Sequence, residues 1–244
     1  MFVVCDFHNH SCLSPCGSLE QSPAVLARLA AGRGVELVAL TDHNSALNTP
    51  AFAECARREG IAALYGMEAA SAEEVHVLCL FAAPEDALDF GEFLAGQLPC
   101  LRYDSKRLGD QVVVDADENI LGMPEAYLGA ALELGYDELC AEADLRGALV
   151  IPAHIDRPMY GVINQLGFLP EGLYAAVEAV RPLKAGAGRG YTVVTGSDAH
   201  YPEHIARRPF SLDLPEGWQH GGVVSLDAVR EALAAGRARL PFST

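Results

Sequence analysis

The chain has 244 residues, with 17 basic and 33 acidic side chains and a net charge of −16; half the residues are hydrophobic and a fifth are charged. That balance excludes a disordered chain, a collagen-like repeat and a disulfide miniprotein. The acidic excess repels nucleic acid and anionic membranes at long range, yet leaves an anionic substrate open to a site that binds divalent cations.

Length and composition lead us to expect one domain spanning 1–244. Met1-Phe-Val-Val-Cys-Asp6 lacks the basic start of a signal peptide, and no apolar run approaches about 18 residues, so neither secretion nor a membrane span is expected. A cytoplasmic location with reduced thiols follows. The seven cysteines include no CxxC pair, and all except Cys12 and Cys16 read as buried small hydrophobes.

In chain order, strands are expected at 2–6, 35–40, 61–65, 75–81, 148–152, 174–180 and 191–195. Helix starts lie between many of them. Ser22-Pro23 offers an N-cap and a proline at the first helical position; Asn48-Thr49-Pro50 does the same for 50–59, and Pro84 opens 84–95. Ser225 caps a last helix, 226–236, that ends at Gly236. Residues 99–127 break the rhythm and read as a β-hairpin insertion with a polar turn at Asp115–Asn119. Strands alternating with helices imply a largely parallel sheet with helices outside, and seven strands suggest a barrel. An open doubly wound sheet is the rival, but its nucleotide-binding form needs a Gly-rich turn after the first strand, where His8-Asn9-His10-Ser11 stands.

Six of the eight histidines, 8, 10, 43, 76, 154 and 200, lie beside the ends of these apolar runs, as do Glu68 and Asp198. In a barrel the carboxyl ends of the strands meet on one face, so these residues converge there. His76 opens its strand instead of closing one. A strand 75–81 that runs back beside 61–67 places it next to Glu68. His8 and His10 face one side of an extended segment, as do Asp198 and His200. Each pattern alone is weak, because a lone histidine is commonly a satisfied core residue. Together they point to a metal centre of imidazole and carboxylate, suited to zinc, manganese or iron(II).

The stretches Asp6-Phe-His-Asn-His-Ser, Ala39-Leu-Thr-Asp-His-Asn, Tyr65-Gly-Met-Glu, Val75-His-Val-Leu, Ile151-Pro-Ala-His and Thr195-Gly-Ser-Asp-Ala-His, in that order, resemble the polymerase and histidinol phosphatase superfamily, the PHP domains. Among these the chain looks like the small stand-alone phosphoesterases. The resemblance implies a distorted seven-stranded (β/α) barrel with two or three divalent metals. It assigns His8, His10, Glu68 and Asp198 to one ion, and Glu68, His76 and His154 to a second. A third is held by His43 and His200 with a residue from the loop after His10. Asp42 is expected to orient a ligand. In that loop the family places Asp or His where this chain has Pro15 and Cys16. Cys16 is then either a thiolate ligand or a plain loop thiol.

The chemistry expected of such a site is hydrolysis of a phosphate ester by a metal-bridging hydroxide. Asp198 or His200 donates a proton to the leaving group, and Arg157 clamps the phosphate. Arg207 and Arg208 are a weaker clamp and read as a surface pair; His204 and His220 read as surface histidines. The expected partner is a small phosphorylated substrate, with no extended nucleic acid and no membrane. The rivals are a barrel that binds metal without turnover and an exonuclease acting on short oligonucleotides.

Overall fold

The computed structural model describes residues 1–101 and 103–241; Arg102, inside the expected insertion, lies outside the described residues. The elements follow in order: β1 (Phe2–Asp6), α1 (Pro23–Gly32), β2 (Leu37–His43), α2 (Thr49–Glu59), β3 (Ala62–Ala70), β4 (His76–Phe81), α3 (Pro84–Ala95), α4 (Ser105–Leu108), β5 (Val113–Val114) and β6 (Ile120–Gly122). Then come α5 (Tyr136–Leu145), β7 (Leu149–Pro152), α6 (Val162–Leu166), β8 (Val177–Glu178), β9 (Val193–Val194), β10 (Phe210–Asp213), β11 (Gln219–His220), β12 (Val223–Val224), α7 (Leu226–Ala234) and β13 (Ala238–Arg239).

Seven strands form one curled mixed sheet in the order β13-β10-β1-β2-β3-β4-β7, the half-barrel of an α/β fold. β1, β2 and β3 are parallel. β4 runs back against β3, pairing Ala70 with His76 and Glu68 with Leu78, as the position of His76 requires. Two expected strands shrink: 174–180 and 191–195 become the two-residue pair β8–β9. Their places in the main sheet go to β10 and β13, which the sequence reading lacks. The small pair still bridges the two ends of the curl: Ala175 N donates to Val150 O in β7, and β9 lies against β13.

Alternation along the strands explains why they read as continuous apolar runs. Leu37 and Ala39, Ala62 and Leu64, and Leu78 and Leu80 join Phe7, Phe210 and Trp218 in the inner core. The intervening Val38, Leu40, Ala63, Met67, Val77 and Cys79 pack under the helices with Leu26, Phe52 and Phe90. The inner series continues at period two to His43, Glu68 and His76, so the apolar column ends in a polar layer. Gly66 lies one inner position below Glu68, and a Cβ there would come 2.0 Å from Cys79 O. Only glycine lets β3 and β4 close at that point.

The helix starts are mostly as expected. Ser22 Oγ accepts from Val25 N at 3.1 Å and Ser225 Oγ from Ala228 N at 3.3 Å. Helix α7 stops at Ala234, and Gly236 behind it takes φ +68°. Asn48 differs. Its side chain does not cap α2 but holds the 99–127 segment instead: Nδ2 donates to Ser11 Oγ (2.9 Å) and Val112 O (3.1 Å), and Oδ1 accepts from Val114 N (3.0 Å). β5 and β6 pair as a hairpin, and Asp115 Oδ1 accepts from the Asp117 and Asn119 amides at 2.9 Å in its turn. Among the described residues no helix is long and apolar enough to cross a membrane.

Asn48→Ala therefore takes the acceptor from the buried Val114 N–H, at about 1–3 kcal/mol, and leaves Val112 O only the weak Cys12 thiol donor. The melting temperature should fall by about 2–4 °C per kcal/mol, and amide exchange at Val114 should accelerate. An unchanged melting temperature with unchanged exchange would show that the hairpin is held by other contacts.

Candidate metal centre

Glu68 is 1% exposed and lies at the inner end of β3, where five imidazoles reach its carboxylate. His76 Nδ1 is 2.8 Å, His154 Nε2 2.9 Å and His8 Nε2 3.2 Å from Oε1; His10 Nε2 and His43 Nδ1 are 3.3 and 3.2 Å from Oε2. Asp198 Oδ1 approaches His8 Nε2 at 3.5 Å and His10 Nε2 at 3.4 Å, while His8 and His10 face each other at 3.2 Å. His200 stacks on His10, ring centroids 4.1 Å apart.

The close donors fall into three groups: His8, His10, Glu68 and Asp198; His43, Glu68 and His76; and His10, His43 and His200. In the first group, the five separations just given between its atoms run from 3.2 to 3.5 Å. Ligands of a tetrahedral ion at about 2.0–2.2 Å lie about 3.3–3.6 Å apart. The donor set fits a divalent cation in spacing as well as in chemistry.

Electrostatics point the same way. Burial lowers the affinity of His8 for a proton, but Glu178, Glu68 and Asp198 outweigh it and hold its pKa well above the imidazole range. Against the same burial, Asp198 and Glu68 carry His10 up to about 9. Burial pushes the Glu68 and Asp198 carboxyls up, yet the imidazoles around them hold both well below the usual range. Burial and a neighbouring His10 charge take His43 well below its ordinary value and His200 down to about 4. The cluster thus retains two carboxylate charges, balanced by protons on His8 and His10 that a bound cation would displace.

Surrounding groups fix which ring nitrogen faces the cluster. Ser14 Oγ donates to Asp42 Oδ1 at 2.7 Å, so it accepts from His10 Nδ1 at 2.9 Å, and when the ring gives up its second proton the lone pair is left on Nε2. Asp42 also accepts from Ser11 N and Oγ at 2.7 and 2.6 Å, which makes it the anchor of this relay. His200 Nδ1 donates to the Asp198 carbonyl at 3.1 Å. Glu178 takes His8 Nδ1 at 2.9 Å. Gln21, fully buried, donates from Nε2 to His10 O (2.6 Å) and Ala199 O (2.7 Å), tying the two HxH- and DxH-bearing loops together.

A cavity of about 230 Å³ opens onto the cluster, lined among others by Cys16, Tyr127, Arg157, Tyr160 and His200. Arg157 Nη1 holds Asp198 Oδ2 at 2.7 Å. Tyr160 stacks on His76 at 4.4 Å, and its carbonyl accepts from His76 N. Arg207 and Arg208 are not a plain surface pair: their guanidinium groups donate to the carbonyls of Gly196, Ser197 and Asp198 and brace that loop. His220 is exposed on β11, away from the cluster.

Of the residues singled out in the sequence, His8, His10, His43, Glu68, His76, His154, Asp198 and His200 converge here. Cys16 lines the cavity mouth but belongs to none of the close donor groups. Glu178, Gln21 and Tyr160 were not singled out. Glu178 had one signal, a carboxylate inside the apolar run Ala175-Ala-Val-Glu-Ala-Val180. Cys100, expected to be buried, is exposed.

Cys16 is exposed like Cys100, but desolvation by the surrounding protein at the cavity mouth, with Glu68 and Asp198 nearby, pushes its thiol up to about 12. Since the thiolate is the nucleophile, iodoacetamide at pH 8 should label Cys100 well before Cys16 in chelator-treated protein. Labelling of Cys16 should climb about tenfold per pH unit from 7 to 9. Equal labelling of the two at pH 8 would contradict this placement of the thiol.

No curated protein sequence matches the chain. Among solved structures, the lesion-specific endonuclease Q of Pyrococcus furiosus superposes with a TM-score of 0.66 at 17% identity, over 98% of this chain and 58% of that one. This chain thus spans less than two thirds of the endonuclease. An amidohydrolase from Chromobacterium violaceum gives 0.58 at 18% identity, covering 97% and 98% of the two chains. A protein classed as a metal-dependent phosphoesterase, from Bifidobacterium adolescentis, gives 0.53 at 19%, covering 95% and 96%. At such identities these likenesses show a shared fold. The PHP domain profile matches residues 6–141, more than half of the sequence, and on that match the chain belongs to the PHP family.

Proposed function

We propose that this protein is a metal-dependent hydrolase of phosphate esters, acting on a small phosphorylated molecule. The observation that carries this reading is the ring of imidazole and carboxylate donors about Glu68, spaced like the ligands of a divalent ion, with Arg157 beside it at the cavity mouth. The family is metal-dependent, and the family resemblance supports phosphoester chemistry.

In this reading His8, His10, Glu68 and Asp198 hold one ion, and Glu68 with His76 and His154 holds a second. His43 and His200 are the donors left for a third, with Cys16 beside them and outside the close set. Nitrogen and carboxylate ligands suit zinc, manganese or iron(II). When bound, such ions supply an activated water and offset the charge of phosphoryl oxygens.

The chain's own groups do the rest. Arg157 spends one Nη1 donor on Asp198 and has further N–H groups for a phosphoryl oxygen. Asp198 is held ionised, with Oδ2 on Arg157 and Oδ1 facing His8 and His10, so it accepts and orients. His200 lines the cavity free of that ion pair; with its pKa down at about 4 and its ring proton on the Asp198 carbonyl, it is neutral and serves as a nitrogen ligand, not as the acid. The cavity is smaller than the roughly 300–1,000 Å³ of typical ligand pockets, which suits a compact ester. The net charge of −16 disfavours a long polyanion. A barrel kept without turnover would not need eight converging donors and a guanidinium.

The test is phosphate release from a panel of phosphomonoesters by protein loaded with manganese or with zinc. Glu68→Ala should cost more than about 100-fold, in line with loss of a charge contacting several ligands, and Arg157→Ala should raise KM. His220→Ala should match wild type. Metal-loaded protein that releases phosphate from no ester, or Glu68→Ala with wild-type turnover and full metal content, would overturn the reading.

A further inference from the structure

Glu178 ends β8 and is 1% exposed. Its two carboxylate oxygens do different jobs. Oε2 accepts from the His8 ring at 2.9 Å, and Oε1 accepts from the His154 backbone N–H at 3.3 Å. Its own carbonyl accepts from Ile155 N at 2.9 Å. His154 has φ +30°, a left-handed backbone without glycine, which costs on the order of 1–3 kcal/mol unless neighbours hold it. Glu178 holds the amides of this residue and of the next. Gly196 packs directly on the contact: a Cβ there would come 2.5 Å from Glu178 Oε2 and 2.7 Å from His8 Cβ.

We propose that Glu178 is a positioning residue that sets the His8 ring and the His154 backbone together, coupling the two ion sites on either side of Glu68. The inference rests on the metal-centre reading above. Both contacts come from donors, so the residue at 178 must present two acceptors. A carboxylate has them, and a carboxamide has one acceptor and one donor. Glu178→Gln can therefore satisfy His8 or His154 but not both. Turning the amide NH₂ toward His8 forces the ring proton onto Nε2, the nitrogen that faces Glu68 and Asp198. Turning it toward His154 opposes two N–H groups and releases the strained backbone.

The experiment is calorimetric titration of metal-stripped protein with Zn²⁺ alone and with Mn²⁺ alone. Wild type is measured first; no uptake there overturns the metal-centre reading itself. With uptake established, Glu178→Gln should bind both ions about 10–100-fold more weakly, the usual cost of losing an orienting partner. The circular dichroism and melting temperature of the stripped protein should stay close to wild type. Histidine ¹⁵N spectra of the zinc-loaded proteins should show a changed His8 Nδ1–H signal or a shifted His154 environment. The exposed control Glu216→Gln should bind like wild type. Wild-type affinity in Glu178→Gln, or weakening confined to one ion, overturns the coupling and leaves the metal-centre reading standing. Should Glu178→Gln fail to fold, Gly196→Ala decides. It keeps every polar group and forces Glu178 from His8, and the same two outcomes apply.

Discussion

A carboxylate removed from water is costly unless cations or donors surround it. Glu68 meets that condition with five imidazoles supplied by four separate stretches of chain. Its position at the inner end of β3 needs Gly66 beneath it, because the close approach to β4 leaves no room for a side chain there. β4 must run back from that point, since only a returning strand begins with His76 beside Glu68. His43 comes from the neighbouring strand end at the same level, in register with Glu68. The fold in this region is the geometry that keeps one buried charge compensated.

Imidazoles satisfy such a charge only when the correct nitrogen faces it. The fold fixes this with groups behind the rings: Ser14 and Asp42 behind His10, Glu178 behind His8, and the Asp198 carbonyl behind His200. The backbone contributes strain at the same place. Of the non-glycine residues with positive φ among those described, Asn44, His154, Tyr160 and Asp198 lie at this rim. Strain concentrated where side chains converge marks a site whose geometry is set against local preference. Arg207 and Arg208 belong to this support, because their contacts hold the carbonyls of the loop that presents Asp198.

The parts of this arrangement legible in the sequence are those with a periodic or motif signal. Strands β1 to β4 and β7 are long enough to show as apolar runs, and the polar residues at their ends stand out against them. The reversal of β4 was readable from one residue, His76, at the wrong end of its strand for a parallel neighbour. β10 and β13 carry too little signal, because Phe210-Ser-Leu-Asp alternates over only four residues and β13 spans two. The strand length expected at 174–180 was too great for the same reason: an apolar run records burial, and here burial extends beyond the hydrogen-bonded pair. Asn48 reads as a helix cap because capping is its commonest local use, whereas its partners lie on the distant hairpin. The supporting groups Gln21, Glu178 and Tyr160 carry no spacing signature, since each acts through contacts that only the folded chain creates.

The most direct measurement of the central claim is anomalous diffraction at the metal absorption edge from crystals soaked in zinc or manganese. The account predicts one peak enclosed by His8 Nε2, His10 Nε2, Glu68 and Asp198, and a second against Glu68 on the side of His76 and His154. Well-ordered crystals at saturating metal with no peak near Glu68, or with peaks only on the acidic surface, would contradict it.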